Sequence, residues 1–517
     1  MTDVVIQTRK GPLTEAQALQ SDMDMIPALC QLDPLFDFRE HLDSRRAQIE
    51  RLVSRHLGIP KNHVVLGVER EWISGSFNIC LPVHIDNSRK PSLPRKAMVR
   101  FPLLFNIGES FSPGSADEKL RCEAATYIWL RENCPDVPIP RLLAMGFPGA
   151  QSFTAVENES TLNRIRWLLR RGVSWWRGEM LAPFFAHRRD QLADLGYLLI
   201  EYVQDGEMLW RSWQDHRHDE HRRSNLYRSL AKIMLDLAQV PQPRIGSWTM
   251  NDNGVLSLTN RPLSDLTFFW NRHQVPTGIP RDLTYTSTEP YVHDRLAYQD
   301  LRMRHQPNAI LSEADGLYQL SALSALRIML PRFWDQNSRN GPFVFSFNDL
   351  HQSNIFVDED WNVTSIIDLE FACVQPIQMT CIPTWLNGRG VDEQEGPDLE
   401  DYSQLYHHFV AILEAEEKSR RLSHTYSHQL REDWKTGRLW YIKALDSLNG
   451  FPAIVEQHLR PKFFEKFDWK IDGLALARLW DENVLDFINK KIEDRDQYEV
   501  RIKEMFAKAG RAQQVEG

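Results

Sequence analysis

The stretch that most constrains the fold of this 517-residue chain is GPFVFSFNDLHQSNIFVDEDWNVTSIIDLEF, from Gly341 to Phe371. Three short apolar runs, Phe343 to Phe345, Ile355 to Val357 and Val363 to Ile367, alternate with Asp349, Asn354 and Asp368. Asp358, Glu359, Asp360 and Asn362 carry turn chemistry between the last two runs, which predicts a β-hairpin there. A hairpin sets Asn354 and Asp368 side by side at its open end and leaves the Asp349 carboxylate a few residues upstream. That is the outline of a metal site.

Hard cations such as magnesium take oxygen ligands and keep part of their water, so one carboxylate and one amide oxygen beside a polyphosphate suffice. Asp349 is then placed to accept or orient the proton of an attacking hydroxyl. An isolated D-x-x-x-x-N recurs by chance, and a solvated acidic turn is the bland alternative. The coupling of that pattern to strand-like runs, with an aspartate closing the hairpin, argues for chemistry.

On these residues the segment resembles the catalytic and metal-binding segments of the aminoglycoside phosphotransferase family, in particular its large fungal branch, whose fold is similar to that of protein kinases. The resemblance implies ATP as donor, Asp349 as the catalytic aspartate, and Asn354 and Asp368 as magnesium ligands. It departs at Phe347, where the family usually has a histidine. PRIGS and NRPL, within residues 243–263, and WKTGRLWYIKAL, at residues 434–445, resemble fungal-branch segments. The likeness covers roughly residues 40–450.

Upstream, two strand-like runs flank Gly75, Ser76, Phe77 and Asn78, small or turn-forming residues that let backbone amides approach a phosphate. No G-x-G-x-x-G is present, and a plain hairpin is the alternative. By resemblance this is the phosphate-covering loop. Arg100, in the run KAMVRFP, stands where the resemblance expects a phosphate-contacting lysine, and Glu123, on the predicted helix DEKLRCEAATYIWLRENC, is its expected partner. Surface charge is the alternative for both. Glu201 to Val203 matches the hinge between lobes, where the backbones of Glu201 and Val203 would meet the adenine edge.

Lys and Arg number 61 against 70 Asp and Glu, a net charge of -9 that disfavours broad nucleic-acid binding. Six scattered cysteines read as free thiols in a reducing compartment, and no apolar run of about 18 residues is present. These features predict a cytoplasmic protein with no membrane partner. The insert at about 151–192 is rich in arginine and tryptophan, reads as one or two amphipathic helices, and is a candidate for protein contact. The acidic run from Asp392 to Asp401 reads as a solvated loop that could also favour a cationic substrate.

The expected architecture is a bilobal, protein-kinase-like α+β fold: a polar, partly flexible segment over 1–32, a mixed nucleotide-binding lobe over 33–203, and a mostly helical catalytic and substrate-binding lobe over 204–517. A single amphipathic helix is expected from Asp33 to His56, and helices over most of 431–510. The expected activity is ATP-dependent phosphorylation of a small-molecule hydroxyl. A kinase-like binding protein or pseudokinase is the alternative. A protein kinase fits less well, because Asp368 is followed by Leu369 and Glu370 rather than Phe-Gly.

Overall fold

A computed structural model describes residues 4–189, 191–334, 337–422, 425–464 and 469–516. The chain has two lobes, a mixed β/α N-terminal lobe and a largely helical C-terminal one, in a protein-kinase-like arrangement. The smaller lobe is built on an eight-stranded sheet. Its strands lie in the order Phe184–Arg188, Gln151–Ala155, Leu142–Gly146, Tyr197–Glu201, Lys96–Pro102, Asn78–Ile85 and Val64–Leu66, with Ile73–Ser74 paired on Asn78–Ile85.

Alternation across the two central strands decides which residues meet the site. Ala97, Val99 and Phe101, with Ile79, Leu81 and Val83, turn to one face and pack with Leu42, Ile49, Leu52 and Val53. Residues of opposite parity on these strands, including Met98, Cys80, Asn78 and Arg100, face the helix Ser115–Asn133, because successive side chains on a strand point to opposite faces. That helix is buried on most sides and joins the lobes: the Trp129 ring stacks on Phe345 with centroids 4.7 Å apart.

Three sequence expectations are corrected. The helix expected from Asp33 to His56 is two, Leu32–Ser44 and Arg46–Leu57, parted at Arg45, which lets the second lie on the sheet. The N-terminal segment is structured: a hairpin of Val5–Thr8 and Gly11–Thr14 and two short helices pack on the long helix Val484–Glu516 through Ala18, Leu29, Tyr498, Ile502 and Phe506. The insert is smaller than expected, since Gln151–Ala155 and Phe184–Arg188 pair with each other as sheet strands; one helix, Thr161–Trp176, lies between them. Helices do fill most of 431–510, with residues 465–468 of that run outside the described residues. No helix among the described residues is long and apolar enough to cross a membrane.

His56 ties the helix Arg46–Leu57 to the sheet, with Nδ1 2.7 Å from Thr154 Oγ1 and Nε2 2.6 Å from the Tyr197 hydroxyl. Burial, helped by His187, Arg189 and Arg55, pushes its pKa down to about 3. The unfolded chain therefore takes up a proton below about pH 6.5 that the folded chain refuses. Stability from this residue is complete above that pH and is lost as pH falls toward about 3, at about 1.4 kcal/mol per pH unit. Urea midpoints should fall on acidification through this window, and His56→Gln should flatten the slope; parallel slopes would reject the assignment.

Candidate active site

The expected hairpin is present. Ile355–Val357 pairs antiparallel with Val363–Ile366, and the ladder continues as the Ile367 N–H donates to the Asn354 carbonyl at 2.9 Å. Asn354 and Asp368 thus flank its open end. Upstream, Phe343–Phe347 pairs with Ala372–Pro376, which places Asp349 on the loop between the two sheets. Asn354 Nδ2 donates to the Asp349 carbonyl at 3.0 Å, and Trp385 Nε1 donates to the Leu350 carbonyl at 2.9 Å, so side chains from two directions shape this loop. Phe347 ends its strand opposite Ala372, half-buried, and its ring forms part of the recess wall beside Asp349.

Asp368 has a left-handed backbone, φ 62°, which aspartate tolerates better than most residues. Its carboxylate meets the smaller lobe directly. Arg100 Nη2 donates to Asp368 Oδ1 at 2.5 Å and Nη1 to Glu123 Oε1 at 2.6 Å, so Arg100 bridges helix, strand and hairpin. Burial opposes the Arg100 charge, but Glu123 and Asp368 outweigh it and hold its pKa well above the usual value.

Two members of this cluster were not foreseen. Lys119, fully buried one helical turn before Glu123, donates to Asn78 Oδ1 at 2.7 Å and pairs with Glu370. Burial alone would lower the Lys119 pKa; Glu370 and Glu123 reverse that and raise it. Glu370 also accepts from Asn78 Nδ2 at 2.7 Å, and burial together with Asp368 pushes its pKa up against the pull of Lys119 and Arg100. Lys119 was legible as the i−4 neighbour of Glu123, on the same helix face. In the sequence Glu370 is only the second residue after Asp368, with no signal that it turns inward.

The Gly75 turn folds down on this cluster. The Gly75 N–H donates to the Asn78 carbonyl at 2.7 Å, and Ser76 offers its carbonyl to Asn106 Nδ2 at 2.8 Å. The Phe77 ring packs edge-on to Phe371, 5.3 Å between centroids. Asn78 is the first residue of its strand and is buried, so its side chain serves the Lys119 and Glu370 network. At the expected hinge, the Glu201 N–H is taken by the Arg141 carbonyl at 2.9 Å and its carboxylate by the Arg141 guanidinium. Val203, just past the strand, makes no backbone hydrogen bond among the described residues.

The donor set fits a divalent cation. Oxygens of Glu123, Asp368 and Glu370 come within 4.8 Å of one another, and Glu370 Oε1 is buried with no hydrogen-bond partner. Counting Asp349, four carboxylates face two cations here. The imbalance registers on Asp349, whose pKa is pushed up to about 8 by burial first and then by Asp368, Asp265 and Glu370.

Two recesses of about 240 and 200 Å3 open beside Asp349 and share Ser346, Phe347, Asn348, Cys381 and Lys443. The larger includes Asp349 itself, and the smaller adds Asp265, Arg295 and Asp446. None of the six acids between Asp392 and Asp401 lines either recess, so the sequence argument for a cationic substrate loses its geometric basis there. The acids that do line the smaller recess are Asp265 and Asp446; Asp265 starts the helix Asp265–Arg272, and its pKa is raised by burial.

The model of the APH family, described as the phosphotransferase enzyme family, matches residues 104–417. No curated protein matches the chain.

Proposed function

We propose that this chain, which belongs to the APH phosphotransferase enzyme family, transfers the terminal phosphoryl group of ATP to a hydroxyl of a small molecule held beside Asp349. Two observations support this reading: Asn354 Nδ2 is bonded to the Asp349 carbonyl, and Arg100 bridges Asp368 to Glu123 from the other lobe. The PRIGS and NRPL segments support placing the chain in the fungal branch of the family. Six free thiols are consistent with a reducing, cytoplasmic compartment.

In this reading Asp349 accepts the proton of the acceptor hydroxyl. A carboxylate whose pKa stands near 8 is well matched to proton transfer around neutral pH. Asp368 and Asn354 would hold magnesium, with Glu370 within reach; when bound, the ion would neutralise charge on the transferring group. Arg100, oriented by Glu123, would turn one arm of its guanidinium from Asp368 to the donor phosphates. Gly75 and Ser76 would cover those phosphates with backbone, while Val203 offers its backbone to the adenine edge. The acceptor recess carries both signs, Asp265 and Lys443, and suits a polar molecule with a cationic group near Asp265.

Incubation with magnesium, γ-labelled ATP and a fractionated metabolite extract should move label into a small molecule. Calorimetry should also show ATP binding that strengthens with magnesium, and Asp368→Asn should cut that magnesium-dependent gain about tenfold, or 1.4 kcal/mol, by removing a charged ligand. Failure of the folded protein to bind any purine nucleotide would end this reading. One observation favours a pseudokinase as the second reading: Arg100 is committed to Asp368, the residue expected to take the metal. Magnesium-nucleotide binding without transfer to any fraction would select it.

A further inference from the structure

The helix Thr161–Trp176 is attached to the N-terminal lobe by a narrow stripe. Only Trp167 and Ser174 on it are buried; the Trp167 indole N–H donates to the Ala182 carbonyl at 2.9 Å, and Arg170 reaches the Asn253 carbonyl. At about 3.6 residues per turn, Asn163, Trp167, Arg170 and Ser174 form one seam against the body. Everything opposite that seam is exposed.

The exposed side is ordered. Going round the helix, Trp175, Leu168, Ile165, Trp176, Leu169 and Val173 fill an arc of roughly 160° in which no charged residue falls. Trp175 and Trp176 are 80% and 81% exposed, values that no packed tryptophan has. Arginines line both margins: Arg164 and Arg171 on one side, Arg166, Arg177 and Arg170 on the other. The guanidinium groups of Arg166 and Arg177 have no ion-pair or hydrogen-bond partner among the described residues, and there is no acidic residue from 160 to 178.

The geometry points to this helix as an interfacial anchor that lies flat on an anionic lipid bilayer. A broad apolar arc facing away from the protein, with tryptophans on it and arginines along both edges, matches the plane of a bilayer: the apolar side chains enter the acyl boundary while the guanidinium groups extend sideways to lipid phosphates. Other occupants fit less well. A second copy of this chain would set five arginines against five identical ones, and nucleic acid would use the arginines but leave the tryptophans and leucines in water. A helix of this kind needs no spanning segment, so the lack of one among the described residues does not bear against it.

Vesicle flotation with the full chain tests it, using phosphatidylcholine alone and phosphatidylcholine mixed equally with phosphatidylserine. The protein should float with the mixed vesicles at least about tenfold more strongly than with the neutral ones, and added salt should weaken the difference. Trp176→Glu combined with Leu169→Glu should abolish flotation, and Arg166→Gln with Arg177→Gln should remove the preference for anionic lipid. These residues are exposed, so melting temperatures should match the parent and guard against misfolding. No flotation with either vesicle, or flotation unchanged in the Trp176→Glu and Leu169→Glu protein, overturns the proposal. So does a concentration-dependent dimer that the same variant abolishes in the absence of lipid binding, since the face would then be a protein interface.

Discussion

Asp349→Asn should leave a folded protein that keeps much of its magnesium-ATP affinity yet transfers phosphate at least about 100-fold more slowly, within the usual contribution of a positioned acid-base group. The selectivity follows from position. In the proposed reading Asp368 and Asn354 would hold the donor and its metal, whereas Asp349 opens into the recess beside the shared wall of Phe347 and Lys443. Asparagine preserves shape and one acceptor oxygen but cannot take a proton.

The same substitution should leave melting temperature unchanged or raise it. Asp349 sits at about 8 in the folded chain against an ordinary value of about 3.9, so between these values its ionisation favours the unfolded state increasingly as pH rises. Removing the charge removes that penalty. A slower enzyme that is no less stable is the signature of a residue kept for chemistry rather than packing. Equal turnover numbers for parent and variant, measured with an identified acceptor, would take Asp349 out of the catalytic role.

Lys119→Met should be the most destabilising single change in the smaller lobe, at about 3–5 kcal/mol, the range for removing one partner of a buried ion pair. Lys119 is fully enclosed and touches Asn78, Glu123 and Glu370. Without its ammonium group, Glu370 and Glu123 keep Arg100 as their only cationic partner among the described residues, and Arg100 must also serve Asp368. Adding Glu370→Gln should recover much of the loss, because the orphaned charge goes with it. Denaturant unfolding of the two single variants and the double variant measures this coupling. A loss for Lys119→Met below about 1 kcal/mol, the scale of exposed pairs, would show that the cluster is solvated and not a closed network.

How much of this was legible in the chain varies with the distance over which residues interact. The hairpin bearing Asn354 and Asp368 was readable because strand, turn and strand are contiguous, and local propensities suffice to pair them. The approach of Arg100 to Glu123 followed from the family likeness, and strand alternation supplies its mechanism: residues 98 and 100 share the face on which the Ser115–Asn133 helix lies. The basic, tryptophan-rich insert was visible as a composition shift, yet which of its faces meets the body could be known only from the seam at Trp167 and Ser174.

By itself, then, the sequence determined the hairpin and the three chemical groups on one short segment, which are written in local pattern and spacing, while the fold class followed from the family likeness those residues carry. Only the tertiary structure decided that Arg100 clasps Asp368, that Lys119 and Glu370 close the cluster beneath the Gly75 turn, and that Asp265, rather than the acidic run after Val391, lines the recess beside Asp349. These pairings join residues up to 268 positions apart. No local propensity encodes such contacts; they arise because a buried charge must find an opposite one, and which one it finds depends on how the sheet, the helix and the hairpin pack.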